Sequence, residues 1–219
     1  MTDYKLIAFD MDGTLLNSNK KLTQNTIDTI RKCIHSGKYI VFSTGRCLPE
    51  LKEFTDLLPE VQYLICTSGS FVYDPRKEQE IYSCPLSVET CQKIFAQVED
   101  MDIMIHLMGK KSIVQKDKIP CMQDYNMIAY QPMYYQVTTP VEDIRAFYRQ
   151  NPMPVHKLNL YCKTLEDRQI IRERLSSLEL NVVNAETTSL ECSAIGATKG
   201  EGLVKLCEYL RFHWKKPSQ

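Results

Sequence analysis

An apolar run of four residues, Leu6-Ile7-Ala8-Phe9, ends in two carboxylates, Asp10 and Asp12, followed at once by Gly13 and Thr14. A continuous apolar run this short reads as a strand buried on both faces, the kind found in parallel sheets. Asp10 then falls at the strand's carboxyl end, and Gly13 lets the chain turn tightly beyond it. Open α/β sheets build their active sites at that edge. Two acids held there can divide nucleophile and general-acid work between them. The alternative, acids that merely solvate a loop, suits a lone Asp better than D-x-D-G-T behind four apolar residues.

The next seventy residues repeat that rhythm. Thr23 can cap a helix carrying Ile27, Ile30 and Ile34, with Gly37 as its stop. A second apolar run, Tyr39 to Phe42, ends in Ser43-Thr44-Gly45-Arg46. A helical segment covers Leu48 to Leu58, and a third strand, Tyr63 to Cys66, leads into Thr67-Ser68-Gly69-Ser70. Strand, helix, strand, helix, strand is the signature of a doubly wound parallel sheet, with small polar turns along its binding edge.

From residue 83 the texture changes. Ser87 begins a helix with Cys91, Ile94, Phe95 and Val98 on its apolar face. Ile103, Ile105 and Leu107 alternate with polar-side positions, and Gly109 marks a hairpin before Ile113-Val114. Thr139-Pro140-Val141-Glu142 matches a capping box with proline at the first helical position, so a helix is expected to start there. Strand-like residues 155–162 precede a helix from Leu165 to Leu178, capped by Thr164. The sequence order predicts an inserted α+β domain with its own sheet over 83–189, inside a core of 1–82 and 190–219. His106, His156 and Lys157 read as surface or satisfied structural residues rather than substrate contacts. The Met and Tyr residues of 122–135 either line a loop over the site or fill the insert's core.

The core texture returns at Ala197-Thr198-Lys199-Gly200, followed by a helix with Leu203, Leu206, Cys207 and Leu210 on one face. Lys199 sits in that helix's first turn, where the macrodipole disfavours a cation. Either it is an ordinary solvated lysine, or a phosphate satisfies both the helix end and the ammonium.

Composition narrows the function classes. Lys and Arg together number 27, as do Asp and Glu, so the formal net charge is zero. That balance gives no electrostatic reason to expect nucleic acid or an anionic membrane as partner. No signal-peptide pattern or membrane-length apolar run occurs. Nine cysteines lie singly, without a C-x-x-C pair. A disulfide framework or a zinc site is therefore not expected, and a reducing cytoplasm fits best.

These motifs together resemble the haloacid dehalogenase superfamily, specifically its Cof-type phosphatases with an inserted α/β cap of type C2B. FDMDGTLL at 9–16 is similar to the first motif, STGR at 43–46 to the second, and ATKGEGL at 197–203 to the third. The resemblance implies a Rossmann-like α/β core with that cap, and a phosphohydrolase of small phosphorylated metabolites such as sugar phosphates. It implies Asp10 as nucleophile, forming an aspartyl-phosphate, and Asp12 as general acid and then base. It implies Mg²⁺ held by Asp10 and by the Asp12 carbonyl. Thr44 and Lys199 would hold phosphoryl oxygens, with Gly45 and Arg46 in the same phosphate-binding set. Arg46 either contacts phosphate or substrate, or braces the loop through a salt bridge. Backbone amides at Ser68 and Gly69 either face the site or serve an ordinary turn. The same scaffold also suits a phosphomutase, or a catalytically inactive phosphate-binding or interaction protein.

One piece of the family pattern is missing. After the Lys199 helix, Cof-type chains continue with a further core strand and a G-D-x-x-N-D turn whose acids complete the metal site, and no such turn occurs in the 219 residues. Truncation is the expectation, with weakened metal affinity. The opening strand is then expected at a sheet edge, paired with a second copy as a homodimer, covered by a swapped or folded-back tail bearing Phe212 and Trp214, or left to make the protein marginally soluble.

Overall fold

The computed structural model describes residues 4–212. Two compact units are present. One comprises the chain up to Arg46, Leu51–Ser83 and the chain from Ala197 onward; the other comprises Cys47–Glu50 and Cys84–Gly196.

The first unit opens with β1 (Leu6–Phe9), α1 (Gln24–His35), β2 (Tyr39–Ser43), α2 (Lys52–Leu57) and β3 (Tyr63–Cys66), followed by β4 (Phe71–Asp74) and β5 (Gln79–Ser83). The Thr23 hydroxyl accepts the Thr26 amide and starts α1, while Gly37, at φ +81°, releases the chain after it. Ile27 and Ile30 are the buried stripe of that helix. The strands lie in the order β1-β2-β3-β4-β5. β1–β2 and β2–β3 pair in parallel, with Phe9 opposite Phe42 and Ser43 opposite Ile65. Their carboxyl ends therefore finish at one edge.

The expected parallel pairings are present, and the sheet is mixed because β4 and β5 add an antiparallel hairpin beside β3. Its turn is made by the buried Asp74 carboxylate, which accepts the Arg76 and Lys77 amides at 3.0 and 3.2 Å. That is Asx-turn chemistry. The expectation that β1 is buried on both faces is overturned: none of its four residues is fully buried, whereas all of β3 is. Among the described residues β1 pairs only with β2 and forms an edge of the sheet. Phe212 packs edge-on against Tyr39, ring centroids 5.4 Å apart; Trp214 lies outside the described residues.

The second unit contains α3 (Val88–Gln97), β6 (Met104–Met108), β7 (Ser112–Gln115), α4 (Gln131–Val137), β8 (Thr139–Val141), α5 (Ile144–Gln150), β9 (Lys157–Tyr161), α6 (Leu165–Leu175), β10 (Asn181–Ala185) and β11 (Ser189–Ser193). Its six strands run β10-β11-β9-β6-β7-β8. A boundary at residue 190 would cut through β11, which pairs with both β9 and β10, so this unit extends to Gly196. The helix expected at Thr139 starts later. Thr139–Val141 is instead a short strand parallel to β7, and Asp143 caps α5 by accepting the Arg145 and Ala146 amides. Pro140 suits an outer strand because it has no N–H to donate.

Both faces of this sheet are covered. Ile105, Leu107, Leu158 and Leu160 pack with α3, α5 and α6 in the larger core. Met104, Val114 and Tyr161 pack on the other face with Ile119, Met122, Tyr125, Met127 and Tyr134. The 122–135 segment thus supplies core. The same cover buries His106 and Lys157, at 0 and 1% exposure, where alternation alone predicts solvent. Lys157 is held by Glu191 at 2.8 Å. Among the described residues no helix is long and apolar enough to cross a membrane.

The chain re-enters the first unit as α7 (Lys199–Tyr209), capped by the Thr198 hydroxyl on the Glu201 amide. Leu206 packs with Val41, Tyr63, Ile65 and Val72. Two glycines set how closely the helix sits. A Cβ on Gly202 would stand 2.9 Å from Ile65 Cγ2 and 3.1 Å from the Gly69 carbonyl oxygen. A Cβ on Gly69, whose φ is +102°, would stand 1.9 Å from the Thr198 carbonyl oxygen. Backbone lies against backbone there, and only glycine fits.

Gly69→Ala is therefore expected to lower the unfolding free energy by about 3 kcal/mol or more, by overpacking and left-handed strain. Gly200→Ala is the control, since its Cβ would meet only the Thr198 hydroxyl at 3.8 Å; it should be neutral or stabilising by about 0.5–1 kcal/mol. Urea denaturation of the two variants compares them.

Candidate active site

The parallel register brings Asp10, Thr44 and the Thr67-Ser68-Gly69 turn to the same sheet edge, and the turn is locked to the second motif by backbone bonds. The Thr67 amide donates to the Arg46 carbonyl at 2.8 Å and the Ser68 amide to the Thr44 carbonyl at 3.0 Å. Thr67 and Ser68 hold φ values of +48° and +59°. Strain of this kind persists where the surrounding structure over-determines the backbone.

Each acid of the D-x-D motif is met by cations. Lys199 Nζ lies 2.5 Å from Asp10 Oδ1, and the Thr14 hydroxyl donates to Asp10 Oδ2 at 3.3 Å. Both members of the Asp10–Lys199 pair keep 42% of their side-chain surface, so this face is open to a ligand. Arg46 grips Asp12 with two bonds, Nε to Oδ2 at 2.8 Å and Nη2 to Oδ1 at 2.9 Å. Lys20 adds a third at 3.0 Å. Of the two roles open to Arg46, the salt bridge is the one seen here. Its guanidinium also lies over the Phe54 ring, 5.3 Å from the centroid.

Partial burial pushes the Asp12 carboxyl up, but the hydrogen bonds and charge of Arg46, followed by those of Lys20, outweigh it and hold the pKa at about 2. Thr44 is buried, and its hydroxyl accepts the Arg46 amide at 3.2 Å. Gly45 is half-buried between them.

Sequence reasoning named Asp10, Asp12, Thr44, Gly45, Arg46 and Lys199, but passed over Lys20, Thr14 and the packing roles of Gly69 and Gly202. Lys20 is delivered by a tight loop in which Asn17 Oδ1 accepts the Asn19 and Lys21 amides at 2.9 and 3.0 Å. The N-S-N-K run carried that turn signal. For Gly202 the signal was a glycine inside a helix, which carries an entropic cost unless close packing needs it.

Residues 7–216 match the haloacid dehalogenase-like hydrolase family. The chain belongs to that family. Within it, the chain is 28% identical over 214 residues to the 5-amino-6-(5-phospho-D-ribitylamino)uracil phosphatase YcsE of Bacillus subtilis, covering 96% of this chain and 73% of the relative. It is 23% identical over 211 residues to the HMP-PP phosphatase of Citrobacter koseri, covering 94 and 73%. The solved structure of a haloacid dehalogenase-like hydrolase from B. subtilis superposes with a TM-score of 0.81 at 20% identity, covering 95% of this chain and 80% of the other. The fold is thus that of the haloacid dehalogenase-like hydrolases, and the chain is by family a hydrolase.

The Arg46 clamp sets a pH signature. A carboxylate whose pKa falls from 3.8 to about 2 on folding adds stability above 3.8 and loses it as the pH falls through about 2. Arg46→Met should raise the Asp12 pKa and remove most of that acid-side dependence. Carboxyl-carbon NMR titration reads the pKa, and urea midpoints between pH 2 and pH 5, about the range of the two pKa values, read the stability.

Proposed function

We propose that the chain is a Mg²⁺-dependent phosphatase of small phosphorylated metabolites, acting through an aspartyl-phosphate on Asp10. The observation that carries this reading is the convergence of Asp10, Asp12, Arg46 and Lys199 at one open sheet edge. Phosphatases among the relatives, whose names give phosphorylated small molecules, support the substrate class. On the same reading the second unit is the cap that selects the substrate.

Asp10 presents an exposed carboxylate oxygen to phosphorus and becomes the acyl phosphate as the P–O bond to the leaving alcohol breaks. Lys199 neutralises Asp10 at rest and follows the phosphoryl oxygens as their charge develops. Thr44 accepts the Arg46 amide and keeps its hydroxyl proton for a phosphoryl oxygen. The residues fit the metal in kind: Asp10 and Asp12 offer only hard oxygen donors, which suit a cation that keeps several waters. The Asp10 carboxylate and the Asp12 carbonyl would hold Mg²⁺, which supplies charge neutralisation at the phosphoryl group.

Asp12 has two tasks with opposite demands. With its pKa near 2 it is ionised at rest, ready to take a proton from the hydrolytic water but unable to protonate a leaving group. A phosphate dianion competes for Arg46 and Lys20. Substrate binding thereby loosens their hold on Asp12 and raises its pKa toward the acid role. The same clamp favours a second reading, a phosphate-binding protein without turnover, if the cations do not let go.

Hydrolysis of a generic aryl phosphate separates the two. The expected result is turnover that requires Mg²⁺, falls at least about 10³-fold in Asp10→Asn, and falls about 10²-fold or more in Lys199→Ala. No turnover with metal, together with retained phosphate binding, selects the second reading. Turnover surviving Asp10→Asn overturns the nucleophile assignment.

A further inference from the structure

The second unit gathers three metal-ligating side chains of different kinds at one buried point. Cys47 and His106 have no exposed surface and Glu50 has 5%. The Cys47 sulfur, a Glu50 carboxylate oxygen and a His106 ring nitrogen all lie within 4.8 Å of one another. None of the three belongs to the Asp10–Lys199 constellation.

The local structure builds this cluster from two pieces of chain. Leu48–Leu51 is a single tight 3₁₀ turn, in which the Glu50 amide donates to the Cys47 carbonyl at 3.1 Å. Side chains three apart in such a turn eclipse, so Cys47 and Glu50 face the same way. The Cys47 amide returns a bond to Glu50 Oε2 at 2.9 Å, fixing the carboxylate. The turn is anchored at the end of β6 by the Leu48 amide on the Gly109 carbonyl at 3.2 Å. His106 comes from the middle of β6, on the face packed by Tyr134 and Tyr161.

The outer contacts of His106 are those of a positioned ligand. Ser112 Oγ lies 2.7 Å from Nε2, and the Tyr134 hydroxyl lies 2.9 Å from Nδ1. Tyr134 in turn bonds Tyr161 at 2.8 Å, which takes a bond from Asn159 at 2.9 Å.

We propose that Cys47, Glu50 and His106 form a binding site for a zinc-class divalent cation, with one His106 ring nitrogen as the nitrogen donor. A thiolate, a carboxylate and a neutral imidazole carry two negative charges, which balance the cation in a buried setting. Sulfur and imidazole favour zinc over magnesium. Tetrahedral zinc with bonds of about 2.0–2.3 Å needs donors about 3.3–3.8 Å apart, so closure asks for side-chain shifts of about 1 Å. A ring nitrogen that binds the cation exchanges its hydroxyl neighbour, Ser112 or Tyr134, for the metal, and the other hydroxyl orients the ring. Such an ion would fasten the turn that follows Arg46 to the β6 strand.

Cobalt and zinc titrations of the chelator-treated full chain test this. The expected result is one Co²⁺ per chain that carries a thiolate-to-cobalt charge-transfer band and is displaced by Zn²⁺, apart from any Co²⁺ held without such a band at Asp10 and Asp12. Cys47→Ser should abolish the band. Glu50→Gln and His106→Gln should each weaken binding at least about tenfold. Asp10→Asn and Cys121→Ser, the latter altering an exposed thiol, should leave the band and its affinity unchanged. No stoichiometric binding, or a band that survives Cys47→Ser, overturns the site. Should Cys47→Ser fail to fold, zinc-edge X-ray absorption of the unaltered protein decides: one sulfur with nitrogen and oxygen neighbours supports the proposal, and a shell without sulfur, or with several, defeats it.

Discussion

The site rests on a contact between two stretches of main chain. Where the turn after β3 meets the start of α7, the Gly69 backbone lies so close to Thr198 that a single methyl would occupy the space of a carbonyl oxygen. Lys199 is the next residue, and its ammonium reaches Asp10 only because the helix begins there. Gly202 repeats the close approach one turn later against Ile65. Since Ile65 also pairs with Ser43 and accepts the Thr44 amide, the helix, β3 and the second motif are fixed by one set of neighbours. The geometry of the candidate site is thus set largely by the approach of backbone to backbone at Gly69, which no side-chain rearrangement can adjust.

On that frame the electrostatics are close to self-cancelling. Two acids face Lys199, Arg46 and Lys20, leaving a single positive charge in excess among the five. A resting site balanced this way needs no counter-ion, yet it can exchange internal pairs for external ones when an anion arrives. The stronger grip is on Asp12, where Arg46 makes two bonds with its side chain largely buried. The weaker grip is on Asp10, whose partner is a lysine with three rotatable donors and half its surface in solvent. Asp10 is therefore the easier of the two carboxylates to free.

Much of this was legible in the sequence, and the reasons are local. D-x-D-G-T behind Leu6–Phe9, and the helix starts at Thr23, Ser87 and Thr164, act over a few residues, and the structure places each where its chemistry indicates. What could not be read depends on distant chain. Whether β1 has neighbours on both sides, whether His106 sees water, and whether Thr139 begins a helix or joins β7 are decided by elements far away in sequence. Thr139-Pro140-Val141-Glu142 shows the conflict well: its capping pattern is sound, but Asp143 offers a carboxylate to two amides, and β7 offers Thr139–Val141 a partner. The proximity of Cys47, Glu50 and His106 escaped notice for the same reason, since spacing rules for cysteine look along the chain and these residues meet across it.

The outer strand β8 has a consequence for how the second unit survives its own folding. Its sheet depends on distant pairings: β6 must find β9, with His106 opposite Asn159, before the middle of the sheet exists. While such pairings are pending, open strand rims invite other chains to add to them. β8 is three residues long, two of them exposed, and carries Pro140 at its centre. A rim so short, interrupted by a residue with no amide hydrogen, is a poor template for another strand. At that side the sheet ends in a residue that limits self-association, and the protection is written into the chain before any partner arrives.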